Sequence, residues 1–135
     1  MPIVLAALLF AAPDAQTLDA VKNGQFEIAQ KRMMKKRASG VWDMNDQLTL
    51  AAVCLGKGDL DCAEYLYQET LTPLPRTALA YFGLAEVARL RGDLNAAAKY
   101  YRVYLSSKLP GRTAAFDQVA SQRRDAILSS DFKSP

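Results

Sequence analysis

The 135-residue chain contains no histidine. That removes the side chain that most often serves as a general base near neutral pH and most often ligates a metal. Only two cysteines are present, Cys54 and Cys62. A zinc site would therefore have to be built mostly from carboxylates, against the ligand preference of that ion. No CxxC redox motif, no phosphate-binding glycine loop and no serine–histidine pairing can be drawn. Catalysis finds no support in these residues, and neither a cofactor nor a metal ion is expected. Charge of one sign is also scarce: 17 lysines and arginines against 14 acidic residues leave a net +3, a weak pull toward acidic partners. With 50% apolar and 23% charged residues the chain is too apolar for disorder, and it is long enough for one modest core.

Long apolar runs are lacking too. Ile3 to Ala12 is uncharged and apolar, but crossing a bilayer takes about 20 such residues. The run suits the h-region of a secretory signal, with Ala11, Ala12 and Ala15 as small residues near a cut. Met1 and Pro2 supply no basic n-region, and Phe10 or Pro13 would stand three places before a cut after Ala12 or Ala15. The expectation is a signal over residues 1–15, with a buried first helix as the other reading. No cysteine lies near the cut, so a lipoprotein is excluded.

What is present is a period. Gly24, Gly58 and Gly92 recur every 34 residues. Ala29, Ala63 and Ala97 share one column, and Met33, Tyr67 and Tyr101 another. Leu50 matches Leu84, Ala51 matches Ala85, and Leu71 matches Leu105. A fixed period of this length predicts stacked supersecondary units. Apolar residues at three- and four-residue spacing predict helices over 43–57, 62–71, 77–90 and 95–105. Gly58-Asp59 and Gly92-Asp93 break them, Asp59 or Asp61 can cap the second, and Pro73, Pro75 and Pro110 end the pairs. Thr113 to Ser129, with Phe116, Val119, Ala120 and Ile127 on one face, reads as a polar-backed closing helix. Residues 130–135 read as a flexible tail.

Ala80-Tyr81-Phe82-Gly83-Leu84-Ala85, followed by Gly92-Asp93, Ala97, Tyr100-Tyr101 and Pro110, resembles a tetratricopeptide repeat (TPR). Gly58 to Pro75 matches as well, and Leu18 to Ala38 matches in part. Tyr104 stands where a small residue is usual, and Gln47 where an aromatic is common. The resemblance implies an all-α, TPR-like α-solenoid of antiparallel helix pairs over 16–129. Its units would be about 16–41, 43–76 and 77–110, with a capping helix over 112–129.

The resemblance also implies a non-enzymatic scaffold or adaptor that holds a peptide or helix of another protein, and no small-molecule substrate. Carried over by position, the groove-facing residues are Asn45, Leu48, Ala52 and Leu55, then Leu79, Phe82, Glu86 and Arg89, with Leu18, Val21 and Lys22 from the first unit. This lining is too apolar for the lysine and asparagine clamp by which TPR proteins grip chaperone C-termini. An apolar groove suits a hydrophobic peptide or helix; cover by the chain's own N- or C-terminal segment is the competing reading.

Lys31, Arg32, Lys35, Lys36 and Arg37 spread over one side of a helix, opposite Met33. A solvated face near a helix C-terminus explains them; an anionic membrane surface is the alternative. With no aromatic interleaved, nucleic acid is not expected. Trp42 reads as a seal between units or a partner anchor. Cys54 and Cys62, four residues either side of Gly58, would lie level across an antiparallel pair. A disulfide and a pair of reduced, buried thiols both remain open. With a cleaved signal the protein would be periplasmic or secreted and would serve envelope or secretion-apparatus assembly. Without one, a cytoplasmic TPR chaperone shielding an apolar segment of a secreted client is the alternative.

Overall fold

A computed structural model describes residues 14–133, with side-chain surroundings given for 14–130. The apolar run at Ile3 to Ala12 lies outside the described residues. Among those described there are seven helices and no strand: α1 (Ala15–Lys22), α2 (Phe26–Ala38), α3 (Met44–Lys57), α4 (Leu60–Leu71), α5 (Leu79–Leu90), α6 (Leu94–Ser106) and α7 (Ala114–Lys133). The described residues are all-helical, with α1 packed on α2, α2 on α3, α5 on α6 and α6 on α7. None of the described helices is long and apolar enough to cross a membrane. The chain divides into two compact units between Tyr67 and Gln68.

The local chemistry of the breaks is the same three times. Gly24, Gly58 and Gly92 have φ of 72°, 85° and 82°, a region that costs a residue with a Cβ about 1–2 kcal/mol. Each glycine donates its N–H to the carbonyl three residues back, at Val21, Leu55 and Arg89. The following residue, Gln25, Asp59 or Asp93, donates to Ala20, Cys54 or Ala88. This paired closure satisfies carbonyls that a helix end leaves open. Asp59 and Asp93 then accept from the backbone N–H of Cys62 and Ala96 and start the next helix. Between the two candidate caps for α4, the structure uses Asp59.

In the first unit α1, α2 and α3 run antiparallel in succession. The Thr17 hydroxyl lies 3.8 Å from Met33 Sδ, and Lys36 Nζ binds Asp46 at 2.7 Å while Lys57 reaches Gln30 at the other end of α2. Asp43 caps α3 reciprocally with Asp46. Every residue from Gln47 to Leu55 is buried, the mark of a helix enclosed on all sides. Ala20, Val21, Ala29, Ala52 and Val53 form one cluster, closed by Phe26. The Phe26 ring lies where a Cβ on Gly56 would stand, only 2.6 Å from its Cε1. That glycine is needed for close approach, not for its φ.

The second unit repeats the up-and-down order. Asp93 caps α6, and α6 returns along α5 so that Phe82 meets Tyr104 at 5.5 Å and Tyr101 at 6.0 Å between ring centroids. Thr113 caps α7, donating its own N–H to the Tyr104 hydroxyl. Phe116 then reaches Phe82, 4.7 Å away. The link before α7 is anchored to the start of α5, because Ala78 N–H and the Thr77 hydroxyl both donate to the Pro110 carbonyl. α7 continues past Ser129 to Lys133, so residues 130–133 belong to the helix that the sequence ends earlier.

Candidate functional site

α5 is apolar along nearly its whole length, and one carboxylate interrupts it. Glu86 is 3% exposed, and a buried charge is costly unless paired and hydrogen-bonded. Three donors meet it. The Tyr101 hydroxyl, from α6, donates to Oε1 at 2.6 Å. Arg89, one turn on along α5, donates from Nη2 to Oε2 at 2.9 Å. Arg123, from α7, donates from Nη1 to Oε1. Burial, reinforced by the Glu86 charge, holds the Tyr101 phenol far above its ordinary range, so it stays a donor. Arg89 and Arg123 keep 32% and 28% of their side-chain surface exposed. The cluster thus has a buried floor, two guanidinium groups at its edge, and one positive charge in excess.

The residues assigned by position to a groove sit elsewhere than on an open surface. Leu48, Ala52, Leu55, Leu79, Phe82 and Glu86 are all buried. Ala52 faces the α1–α2 cluster, as does Val21, while Phe82 and Glu86 face Phe116 and Arg123 of α7. The chain's own last helix covers that part of α5, adding an aromatic, Phe116, to Phe82 and a second cation, Arg123, to Glu86. Asn45 is exposed and Arg89 half-buried. Lys22 is exposed and Leu18 half-buried at the other end of the chain.

The basic face of α2 is largely engaged within the first unit. Arg32 pairs with Asp14 at 3.1 Å and Lys36 with Asp46 at 2.7 Å, while the Arg37 guanidinium lies 5.9 Å from the centre of the Trp42 ring. Lys31 and Lys35 are exposed. Trp42 donates its indole N–H to Gln47, whose amide donates to the Leu66 carbonyl. Gln47 thus carries a hydrogen-bonded bridge from α3 to α4.

Cys54 and Cys62 are bonded as a disulfide with Cα atoms 5.9 Å apart, within the span that the bond requires. The Gln30 side-chain amide lies 3.4 Å from the Cys54 sulfur, and Lys57 donates to the Gln30 carbonyl oxygen at 2.9 Å.

Two participants were not legible as site residues in the sequence, Tyr101 and Arg123. In the sequence Tyr101 is a member of the 34-residue column, and Arg123 belongs to the polar back of the closing helix. The signal that could have found them was Glu86 itself, an acid within the most apolar stretch of its helix, where burial requires several hydrogen-bond donors and Arg89 supplies only one. No protein-family model, curated protein or solved structure matches this chain.

Proposed function

We propose that the protein is a non-enzymatic interaction module of the TPR kind, a small α-solenoid that holds a segment of another protein. The observation that carries this reading is the threefold recurrence at Gly24, Gly58 and Gly92. The same φ and the same pair of closing hydrogen bonds recur at a 34-residue spacing. Buried Ala29, Ala63 and Ala97, then buried Met33, Tyr67 and Tyr101, follow each closure. Repeated helix pairs present surfaces to partners. Because Leu48, Ala52, Phe82 and Glu86 are buried, the partner contacts accessible positions, Asn45 on the first unit or Arg89 on the second, rather than an open apolar trough.

The Cys54–Cys62 bond supports placing the module in an oxidising compartment, where envelope or secretion-apparatus assembly is the fitting role. The test is site-specific photo-crosslinking from position 45 or position 89 in the native cells, combined with intact mass and thiol alkylation. A discrete crosslinked protein, a mass lacking the N-terminal run and two blocked thiols are expected. Absence of crosslinks from both positions rejects the interaction reading. A full-length mass with two free thiols rejects the compartment and favours a cytoplasmic chaperone.

A further inference from the structure

We propose that Arg89 and Arg123 form a receptor for one carboxylate group of the partner protein, supplied by an acidic side chain or a chain terminus. The site stands on its own geometry; only the ligand's being part of a protein rests on the interaction reading above.

Charge is the first argument. Two guanidinium groups converge on a single carboxylate, Glu86, so one cation in a partly desolvated place lacks a counter-charge. Donor capacity is the second. Each guanidinium has five N–H groups, and Glu86 takes one bond from each. Arg89 Nε is buried and has no acceptor among the described residues. A buried donor in that condition leaves the Arg89 guanidinium under-satisfied. Access is the third: about a third of each arginine side chain faces solvent, while the Glu86 floor is closed.

The net charge selects the ligand class. One carboxylate brings the cluster to neutrality, whereas a phosphate dianion would leave a negative charge beside Glu86. Planar two-point contact between guanidinium and carboxylate adds directional preference. The tyrosine cannot compete for the role, because its phenol is committed to Glu86.

The test uses the full chain and the Nε–H resonances of its arginines, titrated with acetate against chloride at constant ionic strength. Saturable shifts confined to Arg89 and Arg123 are expected, with half-saturation of about 10–100 mM for so small a ligand. Arg89→Gln should abolish the shift at Arg123. Should that variant fail to fold, Arg89→Lys keeps the charge, loses the planar fork, and should weaken binding several-fold. Acetyl-dialanine with a free terminus and an amidated peptide with one glutamate distinguish the two sources of the carboxylate. Non-saturating shifts spread over all arginines, or tighter binding of phosphate than of acetate, overturn the proposal. Either result leaves the crosslinks from position 45 to speak separately for the interaction reading.

Discussion

Single residues in this chain do work that their types alone would not reveal. A Cβ added at Gly58 or Gly92 would meet no atom within 4 Å, so the cost of a side chain there is backbone strain alone. Gly58→Ala and Gly92→Ala are therefore expected to cost about the same, about 1–2 kcal/mol each, read as shifts in the denaturant midpoint at unchanged slope. Clearly unequal losses would show that packing contributes at one of them. Glu86 is the opposite case, where environment is everything. Glu86→Gln keeps the shape but leaves Arg89 and Arg123 without their counter-charge, and is expected to destabilise by about 1–3 kcal/mol. Exposure of both arginines holds that below the cost of breaking a fully buried pair. Gly56 has a third role. It admits the Phe26 ring, which a methyl group would meet at 2.6 Å, so Gly56→Ala and Phe26→Ala should be non-additive.

At the scale of elements, the disulfide joins the end of α3 to the start of α4 across a Schellman-type closure that already holds the turn. Closing so short a loop contributes about 2–3 kcal/mol in the chain-entropy picture. Replacing Cys54 and Cys62 by serine should lower the melting temperature with no change in helix content by circular dichroism; a loss of helix would mean that the bond shapes the turn and does not merely tether it. α7 does something different. It brings Phe116 onto Phe82 and Arg123 onto Glu86, so it completes the core of the second unit. Ending the chain after Arg112 should expose Phe82 and raise binding of an apolar dye. An unchanged dye signal would show that α5 and α6 close their own core.

For the whole molecule, the lack of histidine sets the response to pH. Near neutrality no side chain titrates at its ordinary value, so stability should be flat between about pH 5 and 9. Acid acts through two carboxylates. At Asp14, burial pushes the carboxyl up, but bonds from Thr17 and Arg32 outweigh it and hold it below 3.8. At Asp117 the Arg112 hydrogen bond does the same against a smaller burial effect. Folded values below unfolded ones mean stability that is present above pH 3.8 and lost as pH falls through the folded values. Alkali acts through tyrosines. Burial pushes Tyr104 up to about 12, and Tyr101 higher still. Those contributions are complete below pH 10 and lost as pH climbs through the folded values. Thermal melts across pH should show that plateau and both flanks, with Tyr101→Phe reducing the alkaline loss. A transition near the ordinary histidine value of about pH 6.5 would contradict it.

Local chemistry was readable without coordinates. The glycine period, the proline stops and the three- and four-residue apolar spacing located the helices and their breaks, because φ restriction, capping and helical periodicity act over a few residues. Which candidate cap served α4 was open by two residues, and the end of α7 lay beyond the point where its apolar face faded. The faces were a different matter. The resemblance assigned Leu48, Phe82 and Glu86 to a groove, and all three are buried; Phe82 and Glu86 lie against α7. A one-dimensional pattern says that a face is apolar but not which later segment covers it. The pairing of Glu86 with Arg123 spans 37 positions along the chain. Only packing brings them together, because desolvation forces a buried carboxylate to find whichever cation the fold delivers.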